Sequence, residues 1–192
     1  YLNYAGANGV WVSGFFGSGK SHLLKMLALL LQNRPIEDTY YPLELFLEKP
    51  PFNEVGMQAE DLKRAVAIPS ESILFNIDQK ADVISKAELD ALIAVFVKVF
   101  DEHCGYYGKQ PYIAQFEREL DVDGQFGDFK TAFEALSGKD WEFGRQRAKR
   151  MAENVDKAYA QVTGAAVTGI LDKYRDDYGL SIEDFAGQVN AY

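Results

Sequence analysis

Apolar positions in the first 80 residues alternate between short β-prone runs and helical repeats. Residues 10–12 have the composition of a strand, and leucines at helix-face spacing follow them after a short interval. Residues 43–47 and 72–77 have the composition of two further short strands. Residues 55–67 show a helical pattern that stops before Pro69. We therefore expect mixed α/β structure in this part of the chain.

From residue 85 onward, nearly all the apolar spacing is that of helices. Ser85 and Glu88 form a capping box that opens a helix running to about Glu102. Its expected buried stripe consists of Leu89, Leu92, Ile93, Phe96, Val99 and Phe100. Further helices are expected at 112–120, 125–137, 140–162, 166–177 and 182–190, with breaks at Gly124, Gly138, Gly164 and Gly179.

Residues 14–21 read G-F-F-G-S-G-K-S and fit the phosphate-binding template G-x-x-x-x-G-K-[S/T] at every fixed position. The template requires a strand, a glycine-rich turn and a helix, in the order predicted here. The glycines let the backbone turn its N–H groups toward an anion. The start of the helix adds unpaired amides and the positive end of the helix dipole. The motif predicts a nucleoside triphosphate site.

Most residues of this motif have an expected role. Lys20 is the catalytic cation expected to reach the β- and γ-phosphates, and Ser21 is expected to give its hydroxyl to Mg²⁺. Ser18 acts through its backbone amide, His22 lies near the α-phosphate, and the two phenylalanine side chains are expected to pack elsewhere. The residues assigned to the nucleotide are Gly14, Phe15, Phe16, Gly17, Ser18, Gly19, Lys20, Ser21 and His22.

The expected fold is the front of an α/β P-loop NTPase domain with an incomplete sheet, followed by a large all-helical part. Residues 1–84 correspond to the nucleotide-binding portion, and residues 85–192 to a helical insert or subdomain. Two or three strands are too few for such a sheet, so its other strands are expected outside this chain. The chain also begins at Tyr1 rather than Met, and we expect a fragment of a longer protein.

Composition narrows the class of partner. The net charge of −9 argues against binding DNA over the whole surface, although the basic residues at 145–150 are a local exception. Three interpretations of these basic residues stay open. They are a patch that contacts phosphate, a group that acts in trans on the nucleotide of a neighbouring subunit, and a solvated helix face. The single Cys104 fits a reducing cytoplasm, and no apolar stretch approaches the roughly 20 residues of a membrane span.

Two other features bear on chemistry. Asp78 ends the last predicted strand and is a candidate for holding Mg²⁺ through water, although aspartates also commonly end strands as turn formers. No Asn-Lys-x-Asp motif occurs, which favours ATP over GTP. A set of aromatic residues without interleaved basic residues is typical of a helical core rather than of base stacking. Its members are Tyr106, Tyr107, Tyr112, Phe116, Phe126, Phe129, Phe133, Trp141 and Phe143.

Three segments together resemble the BrxC family, the large P-loop ATPases of bacteriophage-exclusion systems. They are G-V-W-V-S-G-F-F-G-S-G-K-S-H at 9–22, S-I-L-F-N-I-D-Q-K-A-D at 72–82, and I-A-Q-F-E-R-E-L-D at 113–121 with F-K-T-A-F at 129–133. The resemblance extends from about residue 9 to residue 147. The phosphate loop is shared by a vast superfamily, and the other segments make the match specific.

The resemblance implies a much longer bacterial cytoplasmic protein that acts in anti-phage defence with other proteins of its system. It also implies an AAA+-like ATPase that works as a homo-oligomer. The family's phosphate-loop roles transfer to Gly14, Gly17, Gly19, Lys20 and Ser21. Its acidic hydrolysis motif, sensor and arginine finger have no match here. This chain alone is therefore expected to be inactive.

Three other functions stay open. The chain is alternatively a regulatory switch that binds ATP, exchanges it slowly and relays its state through the helices to partners. A small-molecule kinase requires arginines that close over the phosphates, and residues 145–150 supply the candidates. A helical interaction module with a vestigial loop is the third.

Overall fold

The computed structural model describes residues 9–54, 56–77 and 89–192, and of Leu89 and Asp90 it describes the backbone alone. Two compact units are present, one ending at Leu74 and the other beginning at Phe75. The predicted boundary after residue 84 and the capping box of Ser85 and Glu88 lie outside the described residues.

The predicted α/β fold is wrong. The described parts of the chain contain helices and neither a strand nor a sheet, so the incomplete P-loop sheet and its AAA+-like arrangement are not present there. Residues 10–12 and 72–76 are irregular, and residues 43–47 lie in a helix. Within the described ranges, β-type pairing is limited to one isolated antiparallel bridge between Ile36 and Tyr40.

Local helix signals explain the error at residues 43–47. Pro42 stands in the first turn, where its fixed φ suits a helix, and Glu44 lies where the helix dipole favours a negative charge. At the first predicted strand, Val10 and Trp11 are 88% and 92% exposed. A strand must share its N–H and C=O groups with a neighbour, and no described segment pairs with these residues.

The described residues of the first unit form three helices that pack against one another: α1 (Lys20–Gln32), α2 (Pro42–Leu47) and α3 (Met57–Val66). Asn33 ends α1 in the left-handed conformation, and its side chain accepts a hydrogen bond of 3.0 Å from the N–H of Leu43. This bond fixes the chain between α1 and α2. Helix α3 confirms the helical pattern predicted for 55–67.

The second unit contains seven further α-helices among the described residues. They are α4 (Leu89–His103), α5 (Pro111–Val122), α6 (Phe126–Ser137), α7 (Trp141–Arg145), α8 (Ala152–Thr163), α9 (Ile170–Asp177) and α10 (Ile182–Ala191). The predicted helices are confirmed, except that 140–162 is divided by a 3₁₀ turn at Ala148–Arg150. As predicted, Gly138 and Gly164 end α6 and α8 with left-handed φ angles of 68° and 74°.

The core of the second unit is aromatic. The ring of Phe129 meets those of Phe116 and Trp141 nearly edge to face, at centroid distances of 5.1 and 5.0 Å, and Phe133 meets Trp141 at 5.1 Å. Helix α6 packs on α8, and α5 packs on α6 and α9 around these rings. For these four residues, the prediction that the aromatic set forms a helical core is confirmed.

A buried carboxylate lies inside this aromatic core. Glu117 is completely enclosed and accepts hydrogen bonds from the indole N–H of Trp141 and the backbone N–H of Tyr107, each at 2.6 Å. Arg145 donates to the same side chain at 3.2 Å. Burial raises the pKa of Glu117, and these donors oppose that rise.

The buried stripe predicted for α4 is partly wrong. Val99 and Phe100 are buried as expected, whereas Leu92 and Phe96 are exposed. The buried face instead includes Asp101. The ring of Phe96 meets that of Phe75 at its edge, with centroids 5.5 Å apart.

Helix α7 packs closely on α6 at Gly144. A Cβ atom at this position would lie 2.3 Å from Cζ of the buried Phe133, and the enclosed ring has no room to move away. We expect Gly144→Ala to lower the free energy of unfolding by about 1–3 kcal/mol through overpacking, as measured by urea denaturation.

The matched control is Gly127→Ala in α6, where an added Cβ meets nothing within 4 Å. This exchange is expected to be neutral or to stabilise the protein by up to about 1 kcal/mol through helix propensity. Equal effects of the two exchanges would contradict the close contact of Gly144 with Phe133.

Candidate functional site

The glycine-rich loop has the backbone geometry of an anion-binding turn. Gly17 and Gly19 have φ angles of 77° and 86°, a region that side chains other than glycine rarely adopt. The N–H of Ser18 donates to the carbonyl of Phe15 at 3.2 Å and closes the turn. A Cβ atom on Gly14 would lie 2.8 Å from Oγ of Ser18, so a larger residue there would require that hydroxyl to rotate away.

Helix α1 begins immediately after this turn and leaves its first amides available. The carbonyl of Gly19 accepts the first helical bond, from the N–H of Leu23 at 2.9 Å. The N–H groups of Lys20, Ser21 and His22 have no acceptor among the described residues, and no side chain caps them. No acidic side chain occupies the first turn, so the positive end of the helix is not neutralised locally.

Lys20 folds back over the loop. Its ammonium group donates to the carbonyls of Gly14 and Phe15 at 2.8 and 2.7 Å, and to the hydroxyl of Ser18 at 3.3 Å. These three bonds use all three donors of the ammonium group. The positive charge therefore lies against the loop, within the segment that the motif assigns to phosphate.

The remaining loop side chains face solvent. Phe15 and Phe16 are almost fully exposed, so the prediction that they pack against the protein is wrong. Ser21 and His22 are exposed in the first turn of α1. No described group of three or more His, Cys, Asp or Glu side chains is arranged to hold a metal ion. The Ser21 hydroxyl is the available protein oxygen beside the loop, and one such ligand suits Mg²⁺, which retains most of its water. Asp78 lies outside the described residues.

The basic residues at 145–150 divide into two sets. Arg145 forms an ion pair with the buried Glu117, and its guanidinium lies 5.2 Å from the ring centre of Tyr107, so it is part of the core. Arg147, Lys149 and Arg150 instead line a surface cavity of about 400 Å³. Arg145 is therefore not available as a phosphate contact, whereas all the interpretations offered for this segment stay open for the other three residues.

A second buried carboxylate was not singled out from the sequence. Asp101 of α4 is 1% exposed, and its Oδ1 pairs with the guanidinium of Arg118. Its Oδ2 is buried with no hydrogen-bond partner among the described residues. Burial raises the pKa of Asp101 to about 6, although Arg118 opposes the rise. The apolar spacing of α4 does not indicate this carboxylate, because the predicted buried stripe includes neither Val97 nor Asp101.

The comparisons with family models and with solved structures assign no role to these residues. No family model matches the chain, and no solved structure gives a significant match. Among the helices that the structure describes, none is both long enough and apolar enough to span a bilayer.

The raised pKa of Asp101 predicts a pH dependence of stability. Because its pKa is about 6 in the folded protein against 3.8 normally, the folded state holds this proton more tightly. The associated stability is present below pH 3.8 and is lost as pH rises through 6. Relative to Asp101→Asn, wild type should lose on the order of 3 kcal/mol of unfolding free energy across this interval, measured by urea denaturation.

The charged groups around Asp101 modify the rise in its pKa that burial causes. Arg118 lowers its pKa, while Glu117 and Glu102 raise it, and Tyr178 lies near enough to respond to its charge. Asp128→Asn on the exposed face of α6 makes the same chemical change and supplies the baseline. A difference between wild type and Asp101→Asn that stays constant with pH would refute the raised pKa.

Proposed function

We propose that this chain binds ATP with Mg²⁺ through residues 14–22 and the first turn of α1. One observation carries the proposal: two left-handed glycines lead directly into a helix whose first N–H groups have no acceptor among the described residues. A triphosphate supplies several anionic oxygens to such a site, and both the amides and the helix dipole favour them.

Each residue of this site has its own proposed role in binding the nucleotide. The N–H groups of Lys20, Ser21 and His22 donate to phosphate oxygens, and the Lys20 ammonium group offsets the negative charge of those oxygens at short range. The Ser21 hydroxyl would provide one ligand to Mg²⁺, and the bound ion would offset the negative charge of the phosphates. ATP supplies the phosphoryl group whose transfer to water releases energy. We expect no turnover from this chain alone, because its sequence lacks a match to the acidic hydrolysis motif.

The resemblance to the BrxC family supplies the biological setting that we propose. In that setting the chain belongs to a longer ATPase of bacterial anti-phage defence, which couples ATP to remodelling of a partner or of DNA. The ATPase acts as a homo-oligomer with other proteins of the system. The compartment we propose is the cytoplasm, because this sequence contains one cysteine, Cys104, and so cannot form a disulfide within itself.

A nucleotide-dependent switch is the second candidate, and the position of Lys20 favours it. Its ammonium group has two alternative sets of partners, the carbonyls of its own loop and the phosphates of a nucleotide. A switch requires such discrete alternatives, which a ligand biases by binding one of them better. We do not propose a small-molecule kinase, because Arg145, one of the arginines that would have to close over the phosphates, pairs with the buried Glu117.

The proposal is tested by titrating a fluorescent ATP analogue into the chain with and without Mg²⁺. Lys20→Ala removes a charge-assisted bond and should weaken binding by about 10- to 100-fold, equivalent to roughly 1.5–3 kcal/mol. Ser21→Ala should reduce the enhancement of binding by Mg²⁺ while leaving metal-free binding unchanged.

The control is Lys25→Ala, which removes the same charge from an exposed position on α1. It should weaken binding by less than about twofold, because screened surface charges contribute little. Binding that is equal in the Lys20 and Lys25 variants would show that only overall charge matters, and the proposed site would then be rejected.

A further inference from the structure

A second cavity in the helical unit has the chemistry of a ligand site. It has a volume of about 660 Å³ and lies between α4, α5, α10 and the segment that precedes α10. This volume is within the range that small-molecule pockets occupy. The lining side chains that matter here are those of Asp101, Arg118, Asp177, Glu183, Asp184 and Gln188.

Two buried oxygen acceptors in the cavity wall have no donor. Oδ2 of Asp101 and Oε1 of Gln188 are both enclosed, and neither has a hydrogen-bond partner among the described residues. Native proteins rarely leave buried acceptors unpaired, because each loses its hydration without compensation. Both residues line the same cavity, which indicates that a ligand with hydrogen-bond donors belongs there.

The net negative charge of the residues that line the cavity favours a positively charged ligand. Four carboxylates line it, those of Asp101, Asp177, Glu183 and Asp184, and Arg118 is the cation among the lining residues. With all of them ionised, the formal charge of the lining is −4 + 1 = −3. Arg118 already pairs with Oδ1 of Asp101, so it leaves the second oxygen of that carboxylate unmatched.

We propose that this cavity binds a small organic cation rich in N–H donors, namely a guanidinium or primary ammonium compound. A bare metal ion fits less well, because its volume is far smaller and no described cluster of three metal-ligating side chains is present. An anion is excluded by the net negative lining. This site goes beyond the proposed ATP site and shares no residue with it.

The polar end of the ligand is assigned to the two unpartnered oxygens. Its N–H groups donate to Oδ2 of Asp101 and Oε1 of Gln188, and its charge is balanced by the half-paired carboxylate. Phe185 and Val97 also line the cavity and offer apolar surface to an alkyl chain. A ligand with a charged head and a short alkyl chain satisfies both parts of the lining.

The test uses agmatine, which carries a guanidinium and an ammonium group on a short alkyl chain. Agmatine should bind the whole chain in isothermal titration calorimetry, raise its Tm and shift the NMR resonances of the Gln188 side-chain amide. N-butylurea, which has similar N–H donors without a charge, should bind at least about tenfold more weakly.

Two variants locate the ligand. Gln188→Leu removes one acceptor at a half-buried surface position and should weaken agmatine binding by about fivefold, while Asp101→Asn should weaken it by at least about tenfold. Asn190→Leu makes a similar change on α10 outside the cavity lining and should bind as wild type does. The Gln188 variant keeps the test valid if the Asp101 variant fails to fold.

Three results would overturn the proposal. They are absence of agmatine binding at millimolar concentration, equal binding of agmatine and N-butylurea, and unchanged binding by the folded Gln188→Leu variant. The first would show that the cavity binds no such cation. The other two would place agmatine elsewhere on the acidic surface.

Discussion

The helical unit depends on the way in which one enclosed negative charge is satisfied. Glu117 receives its bonds from three separate parts of the chain: the backbone at Tyr107, the indole of Trp141 and the guanidinium of Arg145. An unpaired charge at this depth would be strongly unfavourable. The loop before α5, helix α5 itself and helix α7 must therefore take up their relative positions together, and the edge-to-face rings pack around this arrangement.

The helical unit was largely predictable because its signals are local. Glycines that end α6 and α8 in the left-handed region, and apolar residues at helical spacing, act over a few positions each. The division of the helix predicted at 140–162 was not predictable in this way. It reflects the close approach of Gly144 to Phe133 and the pairing of Arg145 with Glu117, which join residues distant in sequence.

The predicted strands failed for a related reason. A strand is stabilised by neighbours that no local pattern specifies, and composition alone therefore does not distinguish residues 10–12 or 72–76 from irregular chain. The prediction for the phosphate loop was more accurate than that for the strands. Its turn and the helix after it are present as the motif requires, whereas the strand before it is absent. Asp101 could not be identified from the sequence, because what distinguishes it is a buried carboxylate oxygen without a hydrogen-bond partner.

The contacts of Lys20 affect how strongly any phosphate can be held. In the state described here its ammonium group is saturated by the loop's own oxygens, and these oxygens compete with every incoming anion. Lys20 can contact a phosphate only in the fraction of molecules in which its ammonium group has left these oxygens. The apparent affinity of that contact is therefore the intrinsic affinity reduced by that fraction. Affinity at this loop is therefore adjustable from outside the phosphate contacts. A partner that donates to the carbonyls of Gly14 and Phe15 would release the lysine and strengthen binding without touching the ligand.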